Sequence, residues 1–155
     1  SRVLGDVYKR QMVIPYDQTV LFLSEEQTVA SLRADSILEH LQLHSASYRR
    51  WLGRPSCGGL FFVNREVYLK CGGENEHFYG WGPEDAERVR RMEILGYPVG
   101  VNTEGPLYHL WHPRGDNSRF FNRQLASNSR LELIRICNMD TKELTDDVAS
   151  WRNRK

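Results

Sequence analysis

Surplus charge is the first thing this sequence lacks: 21 Lys and Arg stand against 20 Asp and Glu over 155 residues. The resulting +1 gives no general electrostatic reason to bind nucleic acid or an acidic membrane surface. Long apolar runs are also missing. Stretches such as Leu60-Phe61-Phe62-Val63 fall far short of the roughly 20 residues a spanning helix needs. Cysteine is scarce: Cys57, Cys71 and Cys137 are an odd number without metal-type spacing, which suits reduced thiols in a cytosolic setting. No charged-then-apolar leader opens the text, and no repeat or low-complexity linker interrupts it. Neither G-x-G-x-x-G, nor a Walker loop, nor a His-Glu-x-x-His helix occurs. What is present is 40% hydrophobic and 26% charged residues, the composition of a globular domain rather than a disordered, collagenous or coiled-coil chain. The length suits one domain with a real core.

Residues 1–11 differ from the rest. They show no period, resemble a translated sequencing adapter, and are set aside as a non-native tail, with an ordinary frayed terminus as the plainer alternative. Three of the 21 basic and one of the 20 acidic residues lie there, so the remainder holds 18 and 19, a net −1. Met12 to Pro15 reads as a short buried strand stopped by proline, and Thr19 to Leu23 as a second. Ser31 to His44 follows a helical period. Leu60 to Val63 is a strand, Asn64 to Lys70 a helix ending at Gly72-Gly73, and Pro83 to Leu95 a helix stopped by Gly96. Val99 to Val101 and Leu107 to Leu110 read as strands, and Arg119 to Cys137 as mostly helical. The pattern is α/β.

Three clusters carry possible chemistry. In Gly80-Trp81-Gly82-Pro83-Glu84-Asp85 the glycines permit a tight loop presenting an aromatic ring, and both acids fall in the first helical turn. One carboxylate can serve as a general base while the other binds a substrate hydroxyl; acids at a helix start are also ordinary stabilisers. Trp81, with Tyr79 and Phe78 nearby, suits stacking against a sugar's C–H face. Glu87 and Arg91 fit an exposed i,i+4 ion pair. In the second cluster, His109 and His112 share a metal only if the chain turns between them; one packed and one exposed histidine is the plainer reading. In the third, Gly58-Gly59 before an apolar strand marks a bulge or a close backbone approach.

In this order and spacing the clusters resemble the C-terminal half of inverting GT-A glycosyltransferases, of the β-1,4-galactosyltransferase type or the bacterial family 2 chondroitin-polymerase-like type. The likeness rests on Cys57-Gly58-Gly59-Leu60, Gly80-Trp81-Gly82-Pro83-Glu84-Asp85 and His109-Leu110-Trp111-His112, and runs from Met12 to about Arg135. It implies a Rossmann-like, mixed-sheet GT-A domain of which residues 12–155 are the acceptor and catalytic part. The implied reaction moves a hexose or N-acetylhexosamine from a UDP-sugar to a glycan acceptor, with inversion and metal assistance. By the same resemblance Asp85 is the base, Glu84 the acceptor-binding carboxylate and Trp81 the loop residue closing over the sugar. Gly58 and Gly59 lie along the donor, His112 ligates Mn²⁺ or Mg²⁺, and His109 is a more variable second ligand. Arg114 and Arg119 are possible phosphate contacts, with exposed surface arginines as the plainer reading.

Two departures from the family pattern stand out. Pro83 replaces a loop glycine and stiffens that hinge. The Asp-x-Asp element expected before Met12 is replaced by Tyr8-Lys9-Arg10-Gln11. The expectation is therefore a glycosyltransferase whose nucleotide-binding half is missing and whose chain is inactive as it stands. Its place would be cytoplasmic, or peripheral at the inner membrane face. Asp116-Asn117-Ser118 is expected as the hinge of a mobile segment, or as an ordinary loop. The alternative function is a non-catalytic carbohydrate-binding domain built on the Trp81 loop.

Overall fold

The computed structural model describes residue 5 and residues 11–115 and 122–151. The expectations for Arg119 and for the Asp116–Ser118 hinge lie outside the described residues. Two small mixed sheets form the frame. In the first, β1 (Met12–Ile14) is central, antiparallel to β4 (Phe62–Val63) and parallel to β5 (Val99–Val101). In the second, β2 (Val20–Phe22) is central, antiparallel to β3 (Arg49–Arg50) and parallel to β6 (Leu107–His109).

All three residues of β1 are buried, as an apolar run covered on both faces should be. Met12 packs with Cys71 and Met92, and Ile14 with Tyr16 and Val20. Register then does the positioning. Val20 pairs with Leu107 and Phe22 with His109, so β6 ends beside β2 with its histidine against Phe22.

The expected helix over residues 31–44 is two helices. The first, α1 (Glu25–Leu32), starts six residues earlier than expected, because Ser24 and Gln27 form a capping box that the apolar period does not announce. Arg33 to Ser36 interrupts, and α2 (Ile37–Leu43) follows. Asp35 and Ser36 are short polar residues that compete with helical backbone bonding. Next come α3 (Arg65–Lys70), capped by Asn64, and α4 (Glu84–Ile94). Pro83 stands at the N-cap of α4 rather than at its first helical position. The C-terminal part is two helices, α5 (Arg123–Cys137), capped by Asn122, and α6 (Thr141–Trp151). Among the described residues no helix is long and apolar enough to cross a membrane.

Helix α4 is the hub, packing on β5, α5 and α6. Its inward face is unusual because Glu87, Arg88 and Arg91 are buried beside Met92. The i,i+4 pair expected on the surface is therefore in the interior. Arg91 Nε donates to Glu87 Oε1 at 2.7 Å, and the two side chains are 0% and 1% exposed. The rest of the guanidinium donates to the carbonyls of Cys71 and Gly73, at the end of α3. A buried charge pair persists only when its remaining donors and acceptors are met, and here backbone carbonyls meet them.

Candidate active site

Residues far apart in sequence converge on one cleft of about 700 Å³. Its walls take Gly58 and Gly59 from the loop before β4, Trp81 to Asp85 from the start of α4, and His109 and His112 from the end of β6. Gly58, Gly59, Trp81, Glu84, Asp85, His109, His112 and Arg114 meet there, whereas Phe78 and Tyr79, the latter 67% exposed, lie outside the cleft lining.

The floor is an aromatic stack. Phe22 lies between Trp51, at 4.7 Å, and the His109 imidazole, at 4.2 Å with planes 8° apart. His112 continues the row 5.2 Å from His109. Trp51 had no sequence signal; it reaches the site because its N–H donates to the Val20 carbonyl beside β3, extending that pairing by one residue. Trp81 also lines the cleft, 44% exposed. Arg54, Arg114 and Arg130 also line the cleft, and the Arg114 guanidinium sits 6.0 Å from the Trp51 ring centroid.

The two acids at the head of α4 have different surroundings. Asp85 Oδ1 accepts from Arg88 at 2.7 Å. Arg88 is held on its other side by Glu74, which accepts from Nε and from a terminal nitrogen at 2.8 Å each. Asp85 Oδ2 occupies the space a side chain at residue 58 would need, so the backbone passes this close only because Gly58 has none. The Tyr16 hydroxyl donates to the Gly58 carbonyl and ties down that loop. Gly59 follows with φ +99°, a conformation open chiefly to glycine, against Leu107. Glu84 differs: its Oε2 is buried without a hydrogen-bond partner among the described residues, and burial pushes its carboxyl up. Burial, then the nearby Asp85 charge, also pushes up the Cys57 thiol on the same rim.

Metal ligation tests the donor set. His109 Nδ1 is buried without a hydrogen-bond partner among the described residues, and His112 is close by. His112 Nδ1 lies 3.0 Å from the Pro113 carbonyl. Among the described residues no three His, Cys, Asp or Glu side chains gather. The two imidazoles offer nitrogen ligands, while the oxygen set that Mn²⁺ or Mg²⁺ prefers is not gathered with them among the described residues.

Comparison with known proteins bears on the same stretch. Residues 39–113 match the family model described as the N-terminal domain of galactosyltransferase. That span includes Gly58, Gly59, Tyr79, Trp81, Glu84, Asp85, His109 and His112 but not Arg114 or Arg119, and its description lends no support to a C-terminal placement. The chain is 34% identical over 61 residues to beta-1,4-galactosyltransferase 7 of Homo sapiens, covering 36% of this chain and 19% of the relative. The Mus musculus protein of that name aligns with the same figures. The Drosophila melanogaster one is 28% identical over 82 residues, 47% of this chain and 26% of the relative. The chain thus spans about a fifth to a quarter of the length of these relatives. No solved structure matches significantly. Residues 39–113 are thus similar in sequence to galactosyltransferases.

Proposed function

We propose that the cleft belongs to an inverting glycosyltransferase that moves a hexose from a UDP-sugar to a hydroxyl of a glycan acceptor. Galactose is the favoured donor sugar, since the relatives are beta-1,4-galactosyltransferases; N-acetylhexosamine is the second choice. The observation that carries the proposal is the meeting of Gly58, Trp81, Glu84, Asp85 and His109 in one aromatic-floored cleft.

Asp85 is the base. Its carboxylate takes the proton of the acceptor hydroxyl as that oxygen bonds to the anomeric carbon, while the bond from that carbon to the diphosphate oxygen breaks. A single displacement from the opposite face inverts the anomeric centre. Glu84, short of partners, accepts a hydrogen bond from a second acceptor hydroxyl. Trp81, which lines the same cleft as Trp51 and Phe22, covers the sugar ring. Arg54 and Arg114 supply positive charge for the departing diphosphate. Among the described residues His112, with His109 beside it, would hold the divalent ion that the resemblance implies, which would neutralise the departing diphosphate; no step is routed through it.

The C-terminal placement of this segment in a GT-A domain, its family 2 affinity and its cytoplasmic location belong to the same proposal. The resemblance of residues 57–60, 80–85 and 109–112 supports the first two, and the odd number of cysteines without metal-type spacing supports the third. The test is Asp85→Asn in a longer protein that contains this segment, assayed with UDP-galactose and a panel of aryl glycosides. Transfer should disappear while acceptor binding, measured by titration calorimetry, persists. Undiminished transfer would remove Asp85 from the base role, and sugar binding without transfer by the unsubstituted protein would favour a carbohydrate-binding domain.

A further inference from the structure

We propose that Arg88 is a positioning residue that sets the orientation of the Asp85 carboxylate, with Glu74 as its anchor. The inference rests on Asp85 being the base.

An Asp and an Arg three apart on an exposed helix hold each other weakly, because both side chains are long or free enough to wander. This pair is different on one side. The Arg88 side chain is 6% exposed and lies over the Phe61 ring with its guanidinium carbon 4.3 Å from the centroid. Glu74 takes Nε–H and one terminal N–H as a fork, both at 2.8 Å, and itself accepts from the Tyr68 hydroxyl. Two parallel bonds and a stacked plane leave the guanidinium no free rotation. The Nη1 group that faces Asp85 is therefore fixed in direction, and Oδ1 meets it at 2.7 Å.

The second oxygen completes the restraint. Asp85 Oδ2 lies against the bare Cα of Gly58, whose carbonyl is held by Tyr16. One oxygen is bonded to a fixed donor and the other packs on a tied loop, so the carboxylate has one orientation at the cleft wall. A proton acceptor must meet the incoming hydroxyl in a narrow geometry, and a carboxylate free to rotate spends much of its time elsewhere. Neither Glu74 nor Arg88 lines the cleft, so their contribution runs through Asp85.

The test uses the full chain with Arg88→Met, Arg88→Lys and Glu74→Gln. Three-bond NMR couplings at Asp85 report its χ1 rotamer without any need for activity. The unsubstituted protein should show one rotamer, Arg88→Met averaged couplings, and Arg88→Lys an intermediate value because one ammonium still reaches one oxygen. If Arg88→Met fails to fold, Glu74→Gln keeps the arginine, loosens its fork and should average the couplings in part. A single unchanged Asp85 rotamer in either folded variant overturns the inference. In transfer assays on a longer protein that contains this segment, Arg88→Met should lower kcat by about 100-fold with KM little altered, as misalignment of a bound reactant does. Unchanged kcat with averaged couplings also overturns it. Undiminished transfer by Asp85→Asn would instead overturn the base assignment while the rotamer result stood.

Discussion

Asp85 Oδ2 fills the space where a side chain on residue 58 would begin. A glycine 27 positions earlier is thus part of what shapes the carboxylate's surroundings, and the two residues form one feature of the cleft. Gly58 does not have a positive φ, unlike Gly59 beside it, so an alanine there meets no backbone penalty.

Gly58→Ala consequently isolates the steric effect. The added methyl should displace Asp85, lowering transfer by about 100-fold while destabilising the fold by about 1–3 kcal/mol. Transfer kinetics and thermal unfolding check this together. Full activity would mean that Asp85 moves without consequence.

Glu84→Gln should leave the fold as stable or slightly more stable at neutral pH while weakening acceptor binding. Burial raises the Glu84 carboxyl, so the unfolded chain gives up this proton more readily than the folded one. Its contribution therefore falls as pH rises from the unfolded carboxylate range through the raised folded value. The Gln variant should lose that part of the slope, measured by denaturant unfolding across pH 4 to 7.

Arg91→Met should destabilise far more than an ordinary helix ion pair would suggest. It strips the charge partner from Glu87, which is 1% exposed, and removes the guanidinium that donates to the Cys71 and Gly73 carbonyls. Breaking one side of such a buried pair costs about 3–5 kcal/mol. A drop in Tm comparable to that of an exposed pair would show that the site relaxes or admits water.

Glu132 governs an acid-sensitive tie between α5, α6 and residues 75–77. Burial alone would raise its carboxyl, but bonds from Arg135 and Asn75, with His77 beside them, hold it at about 2. Arg135 also reaches Asp147 on α6 at 2.9 Å. A depressed carboxyl stabilises above its unfolded value and loses that effect as pH falls, here between about 4.5 and about 2. Glu132→Gln should be less stable at pH 7 and should show a flatter loss of stability across that window.

Much of the fold was legible because burial imposes a period. Met12 to Ile14 and Val20 to Phe22 read as strands from unbroken apolar runs, and α4 from a proline start and a glycine stop. The start of α1 was missed because a capping box is side-chain bonding, which apolar spacing does not record. The candidate site was legible as three separate motifs. Trp51, Arg88 and Glu74 were not, since an aromatic after two arginines, or a charge on a helix, looks the same whether it faces solvent or a neighbour.

The sequence by itself determined the chemistry at hand: a Gly-Gly pair, a tryptophan loop leading into two acids at a helix start, and two histidines three residues apart. Those follow from residue type and local spacing. Tertiary structure decided how they are used. The parallel pairing of β2 with β6 carries His109 to Phe22, and the packing of α4 against the end of α3 buries Glu87 with Arg91. It also brings Glu74 to Arg88 and Gly58 to Asp85. An i,i+4 spacing states that two charges can meet; which face of the helix is covered, and by which carbonyls, depends on chain 20 residues away.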